Sequence, residues 1–251
     1  MAFRKFLVCL LPLLAGAAHA QDQRKVASPD GQLEFRLFTV MPEGSGLNTL
    51  AYQVRLRGKP LIDTSFLGLN IHFQEPLLGE NVGLSAAKKT RAAGYNGLLA
   101  DYLQTSSTGR RIELEVRVWN DGVAFRYIVP QQQPLLDLLI EDDATQFHFA
   151  GDRTLDPPAQ APLPYAESVP GVGWVGIFES RVAGFPAMSL VRSGPKTMTS
   201  HVPDKPDDPG VAFVGVTPWT GPWRIVAVGT DREKLAQSDA VRTLGRSANS
   251  Q

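Results

Sequence analysis

The sequence predicts an all-β fold, a sandwich built from short antiparallel strands. Three observations predict it. Apolar residues recur at every second position along most segments, the two-residue period of a half-buried strand. Turn-forming Gly, Pro, Asn and Asp break these segments at short intervals. No segment carries a sustained helical stripe, so the pattern points to a sandwich or barrel rather than to βαβ units.

Taken in order, Ser28-Pro29-Asp30-Gly31 reads as a turn that opens a strand through Leu33, Phe35 and Leu37. Leu50, Tyr52, Val54 and Leu56 alternate with Ala51, Gln53 and Arg55. Gly58-Lys59-Pro60 then folds that strand back into Leu61-Ile62 as a hairpin. The clearest unit follows. Ile112, Leu114, Val116 and Val118 face one way and Glu113, Glu115 and Arg117 the other. Asn120-Asp121-Gly122 supplies the left-handed turn conformations, and Val123, Phe125, Tyr127 and Val129 return as the partner strand. Further strands are expected at Gln146–Phe149, Trp174–Phe178, Ala187–Val191, Val211–Val216 and Trp223–Val228. One short helix is expected at Asp231–Ser238, with Asp231 as cap and Leu235 facing inward. Proline-rich Asp156–Pro164 and Pro203–Pro209 read as loops, and Gly245–Gln251 as a frayed, disordered tail.

The first twenty residues read as a secretory leader. Arg4 and Lys5 form a positive start, Phe6 to Ala17 an apolar stretch, and Ala18-His19-Ala20 a small-x-small cleavage site. The expected organisation is therefore a signal peptide over 1–20, one domain over 21–244 and the tail over 245–251. The apolar stretch falls short of the roughly 20 residues that a bilayer span needs, and no lipobox precedes Cys9, so no membrane anchor is expected. Cys9 is the one cysteine of the sequence and lies in the leader, which removes disulfides, thiol nucleophiles and thiolate metal sites from the mature chain. Export without disulfides suits a periplasm, or failing that the extracellular space. Basic and acidic residues number 25 each, with no basic patch or Arg-rich helix, so nucleic acid is not an expected partner.

Several segments, in this order, resemble the N-terminal domain of glycoside hydrolase family 97: Ser28-Pro29-Asp30-Gly31, Gly58-Lys59-Pro60 with Leu67-Gly68-Leu69, Arg110 to Val118, Asp121-Gly122-Val123-Ala124-Phe125-Arg126-Tyr127, Trp174 to Ser180 with Phe185-Pro186-Ala187-Met188, and Gly221-Pro222-Trp223-Arg224-Ile225. No single piece is diagnostic; the ordered set covers nearly the whole mature chain. The resemblance implies a β-super-sandwich of the galactose mutarotase-like type. It implies an origin among exo-acting α-glucosidases and α-galactosidases, in which this domain packs on a (β/α)₈ barrel that carries the catalytic carboxyls. It also implies a calcium ion in the inverting members, with one glutamate ligand given by this domain. No barrel sequence follows Val228 and the expected helix, and a segment between Asp152 and Pro162 is shorter than in the family. The donated ligand belongs either to that shortened segment or to the position of Glu179.

Glu113 and Glu115 share a strand face, yet nothing near them implies the pocket that paired glycosidase carboxyls require, and a solvated face balanced by Arg117 is the simpler reading. Glu141-Asp142-Asp143 reads as a solvated acidic turn without the pattern of a calcium loop. Glu179 ends an apolar strand, where it can reach a partner domain or a metal, and is the metal-ligating candidate; a structural hydrogen bond or a pair with Arg181 is the competing role. His72, His148 and His201 have no metal spacing. Among Trp119, Trp174, Trp219 and Trp223, Trp219 in Thr217-Pro218-Trp219-Thr220-Gly221-Pro222 is the one expected to be exposed and to stack on sugar; the others fit packing roles. No GxSxG elbow and no phosphate loop occur. The expected function is a non-catalytic accessory domain of an exo-α-glycosidase, with no catalytic residues of its own. Its expected partners are a separately encoded glycosidase barrel and α-linked glucose or galactose saccharides, and calcium enters only in a site completed by a barrel. The alternatives are a free-standing carbohydrate-binding module and a truncated remnant without function.

Overall fold

The structure, a computed structural model, describes residues 21–105, 109–151 and 159–245. The expected leader, most of the tail and most of the shortened segment after Gly151 lie outside the described residues. The chain runs through β1 (Gln21–Ala27), β2 (Leu33–Val40), β3 (Thr49–Leu56), β4 (Lys59–Phe66), β5 (Leu69–Ile71), β6 (Gln74–Leu78), β7 (Val82–Ala92), β8 (Tyr95–Gln104), β9 (Arg111–Val118) and β10 (Gly122–Val129). It continues through β11 (Asp137–Asp143), β12 (Gln146–Phe149), β13 (Gln160–Pro162), β14 (Tyr165–Val169), β15 (Gly173–Glu179), β16 (Ser189–Arg192), β17 (Thr197–His201), β18 (Phe213–Val216), β19 (Trp219–Thr220) and β20 (Arg224–Gly229), and closes with the short helix α1 (Asp239–Leu244). The all-β expectation holds.

Every described strand pair is antiparallel, and the strands form three sheets. The first has the order β1-β2-β3-β4-β12-β17-β16-β13, the second β14-β15-β20-β10-β9-β8-β7 with β19 beside β10, and the third is the four-stranded β18-β11-β5-β6. The first two sheets pack face to face. Phe35 and Tyr52 from the first meet Phe125 from the second, with ring centroids 5.8 and 4.9 Å from it, and Phe147 closes the group at 6.5 Å from Tyr52. The alternating residues read from the sequence are these inward ones: Leu33, Phe35, Leu37, Ile112, Leu114, Val116 and Phe125 are fully buried. A second core lies on the outer side of the second sheet, where α1 packs Ala240 and Leu244 against Trp119, Ala124, Trp223 and Ile225.

The strongest hairpin expectation is met in register: Val118 pairs with Val123, and Trp119 N–H donates to Gly122 O at 2.8 Å. The helix expectation is displaced. Asp231 caps a turn, accepting from Lys234 N at 3.0 Å, and Leu235 is buried, but Leu235–Gln237 is a 3-10 turn. The α-helix starts later, where the Ser238 hydroxyl accepts from Val241 N at 3.3 Å. Beyond the Ser238 cap, Ala240 and Leu244 both bring apolar surface to the sheet, whereas the Asp231 segment brings Leu235. Part of the proline-rich Asp156–Pro164 loop is also strand, since Gln160–Pro162 pairs with β16 at a sheet edge, where proline is tolerated.

The close approach of β5 and β6 depends on glycine. Gly79 has φ +135°, and a Cβ there would lie 2.6 Å from Leu67 O. That backbone geometry, with Leu50 N donating to Gly79 O at 2.8 Å, seats the small third sheet on the sandwich.

Candidate functional site

The residue singled out at the end of β15 sits where the charged groups of the interior converge. Glu179 and Arg224 are direct cross-strand partners of β15 and β20. The Arg224 guanidinium donates from Nη1 to Glu179 Oε1 at 2.7 Å and from Nε to Asp143 Oδ2 at 3.1 Å; its Nη2 also pairs with Asp143. Asp143 comes from the end of β11. Its Oδ1 accepts from Thr145 N at 2.9 Å, from the Thr145 hydroxyl at 2.5 Å and from the Ser200 hydroxyl at 3.0 Å. Glu179 Oε2 accepts from Met188 N at 3.0 Å. The side chains of Asp143, Arg224 and Glu179 are 0, 2 and 9% exposed, so two buried carboxyl groups share one buried guanidinium.

Burial pushes the Glu179 carboxyl up from its ordinary value, with nearby Asp143 adding to the rise, while Arg224 and the Met188 amide oppose it. Burial alone would lower the Arg224 guanidinium, but Asp143 and Glu179 together outweigh it and hold it protonated. Tyr127 completes the group, its hydroxyl 2.7 Å from that of Thr145 and accepting from Gly68 N at 3.0 Å. Burial and the neighbouring Asp143 push that phenol far up, so it stays neutral.

Glu179 also borders open space. A cleft of about 270 Å³ is lined by Pro162, Leu163, Pro164, Phe178, Glu179, Arg181 and Met188, and a smaller hollow on the other side of Arg181 shares Glu179. At the strand end Glu179 takes the structural hydrogen bond expected of its competing role, and its ion-pair partner is Arg224 rather than Arg181. For calcium the fit is poor within this chain. Both Glu179 oxygens already serve N–H donors, and among the described residues no three His, Cys, Asp or Glu side chains converge.

Trp219 is placed differently from its expected exposure. It is 8% exposed, and its ring stacks in a triangle with Phe185 and Phe213 at 5.5 and 5.7 Å. The turn-rich sequence around it suggested a surface loop, but Val129 pairs with Trp219 on the sheet, and the Phe185 and Phe213 segments close over the indole. Its Nε1 has no hydrogen-bond partner among the described residues. Trp119 and Trp223 are buried and Trp174 half-buried. Arg117 and Arg126 lie over Trp223 at 4.6 and 4.4 Å, and both bind Glu115, at 2.8 and 2.6 Å. Glu115 thus has the Arg117 partner expected from the sequence, with Arg126 of the paired strand as a second.

The acidic turn is the clearest correction. Glu141-Asp142-Asp143 is the end of β11, and each carboxylate has its own partner: Glu141 meets His72 Nδ1 at 2.7 Å and Asn70 at 2.6 Å, Asp142 meets His201 Nδ1 at 2.9 Å, and Asp143 is the buried partner of Arg224. A strand that alternates between two faces gives neighbouring carboxylates opposite environments, which composition alone does not reveal. Arg224, the hub, was not singled out from the sequence; the signal available was a lone arginine inside the apolar run Trp223-Arg224-Ile225-Val226.

The described residues thus define an antiparallel β-sandwich domain with a small third sheet, in which a buried charged group borders a cleft. The family model described as glycosyl-hydrolase 97 N-terminal matches residues 26–167, and the chain belongs to that family. The fold is shared with solved enzymes. A family 97 glycoside hydrolase from Pseudoalteromonas sp. strain K8, in complex with acarbose, superposes with a TM-score of 0.71 at 20% identity over 86% of this chain and 37% of that enzyme. An E480Q family 97 glycoside hydrolase from the same strain, in complex with panose, gives 0.65 at 19% identity over the same shares. A β-arabinopyranosidase gives 0.66 at 21% identity, over 84% of this chain and 40% of that one. The chain thus spans about two fifths of these enzymes, and no (β/α)₈ barrel occurs among the described residues.

Proposed function

We propose that this chain is a non-catalytic accessory domain that docks on a glycosidase catalytic barrel. The observation that carries the reading is the outer face of the four-stranded sheet. Val214 and Val216 of β18 are 47 and 66% exposed, Leu136 at the start of β11 is 45% exposed, and Phe73 in the β5–β6 turn is 91% exposed. Leu139 pairs with Val214 and shares its face of the sheet, Asp137 is the partner of Val216 there, and His72 N donates to Leu139 O at 2.9 Å. Phe73 holds φ +53°, a left-handed conformation that bulky residues rarely adopt, and presents its ring to solvent. A domain that functions alone gains nothing from this surface; a domain that covers it with a partner does. The partner is argued from the relatives, in which the matched region is about two fifths of a glycosidase.

On this reading α-linked glucose or galactose saccharides belong to the assembled enzyme, and Glu179 enters a calcium site only together with residues of the barrel. The test is a pull-down from periplasmic extract with the tagged chain and with a Phe73→Ser/Val216→Ser variant, followed by mass spectrometry and an α-glycosidase assay of the eluate. Recovery of a glycosidase by the parent and its loss in the variant is the expected result. Equal recovery by both, recovery of no glycosidase, or turnover by the purified chain alone would each overturn the proposal.

A further inference from the structure

β1 and β7 are the terminal strands of the two large sheets, and their free edges lie side by side at one border of the sandwich. The Asn96 side-chain amide ties β1 to β8, the neighbour of β7, by donating to Ala27 O at 2.8 Å. Between the edges runs a groove of about 330 Å³, within the size range of small-molecule sites, lined by Lys25 and Ala27 on one wall and by Lys89, Thr90, Arg91 and Asn96 on the other.

The electrostatics of this groove are one-sided. Three cations border it, and among the described residues none of Lys25, Lys89 and Arg91 takes part in an ion pair. The acid closest in register on β2, Glu34 opposite Ala27, is already bound by Arg36. Several other arginines are matched with carboxylates, Arg224 with Asp143 and Glu179, Arg117 and Arg126 with Glu115, Arg111 with Asp101, while buried Arg110 is held by Gln104 and by backbone carbonyls. The two sheet edges add backbone N–H and C=O groups that no ladder uses. Lysine on an edge strand also deters edge-to-edge aggregation, but that role needs no recess and no cation from a second sheet.

We infer that the groove between β1 and β7 binds a small ligand bearing oxyanion groups, carboxylate, sulfate or phosphate, with Lys25, Lys89 and Arg91 as its cationic contacts. The inference stands on this groove alone and does not depend on the docking face of the third sheet, which belongs to a different part of the molecule. It is tested by calorimetric titration of the full chain with inorganic phosphate, inorganic sulfate and a uronic-acid trisaccharide, at low and physiological salt. Saturable binding is expected for at least one of them. Its Kd should rise about tenfold or more in Lys89→Glu/Arg91→Glu, and also in Lys25→Glu, with the melting temperature kept. Tighter binding of the uronate than of the inorganic ions assigns the ligand to acidic saccharides, and the reverse assigns it to free phosphate or sulfate. Heat that never saturates, or the same Kd in parent and both charge-reversal variants, overturns the inference.

Discussion

Arg224 is the residue on which the interior depends most, and replacing it by methionine measures that dependence. Met is unbranched and apolar, so it fills much of the arginine slot while removing the charge. The substitution leaves Asp143, whose side chain is 0% exposed, and Glu179, at 9%, without their shared cation. Removing one member of a buried ion pair costs about 3–5 kcal/mol, most of it the penalty for the charge left behind. Two features draw the value to the lower half of that range. Asp143 keeps the Thr145 amide, the Thr145 hydroxyl and the Ser200 hydroxyl as donors, and Glu179, already raised by burial, takes up a proton more readily than an ordinary carboxylate. The expected loss is about 3–4 kcal/mol, a fall in melting temperature of roughly 10 °C for a domain of this size.

Urea unfolding followed by tryptophan fluorescence, with calorimetry for the melting temperature, reads both quantities. The decisive comparison is the charge-free set Asp143→Asn/Arg224→Met/Glu179→Gln. It leaves no uncompensated charge and should recover part of the loss, since buried ion pairs contribute less than their breakage costs. A loss below about 1 kcal/mol in the single variant, or a triple variant no better than the single one, would refute the reasoning: the first outcome means water reaches the group, the second that the polar contacts and not the charges hold it.

Two further expectations follow from single positions. Glu179→Gln should change the pH dependence of stability. The folded carboxyl is raised above its ordinary value of 4.5, so the native state retains a proton that the unfolded chain has released, and Glu179 lowers stability as pH climbs from about that value through the folded one. The melting-temperature difference, variant minus parent, should therefore grow more positive between acid and neutral pH in a buffer series; a flat difference or one of the opposite slope would show that the carboxyl is not raised. Gly79→Ala should cost about 2–3 kcal/mol or more by denaturant unfolding, because a Cβ at φ +135° meets Leu67 O at 2.6 Å; a cost under about 0.5 kcal/mol would show that β5 and β6 separate freely.

The sandwich was legible because burying one sheet face imposes a period of two on the sequence, and Ile112–Val118 with Val123–Val129 display it without interruption. Where the period fails, so did the reading. β7 exposes almost all of Ser85–Ala92 on both faces, so it carries no alternation and was not expected as a strand, although it pairs with β8 over its whole length. β5 and β6 are too short to show a period, and their turn places a phenylalanine where glycine or asparagine is the usual signal. Helix α1 is displaced from expectation because two capping residues compete in Asp231–Ser238, and the choice between them rests on a sheet surface contributed by Trp119 and Trp223.

The same distinction separates what could be read at the candidate site from what could not. Glu179 was visible because a carboxylate closing an apolar strand breaks a local pattern. Asp143 was not, since an acid beside two other acids looks like solvent-facing surface, and its burial follows from Ser200 and Arg224, which lie 57 and 81 residues away. Trp219 failed in the opposite sense: prolines and glycines around it describe the backbone turn correctly and say nothing of Phe185 and Phe213, which arrive from elsewhere to cover it. Local sequence reports the conformation a residue can adopt, and chemistry depends on what distant segments bring to it. For this domain that places the weight of the functional reading on the surfaces left uncovered once the fold has closed. The exposed apolar residues Phe73, Val214 and Val216 and the cationic groove at Lys89 are two such surfaces. They have opposite chemical character, so a partner suited to one is unsuited to the other, and substitutions at each should leave binding at the other unchanged.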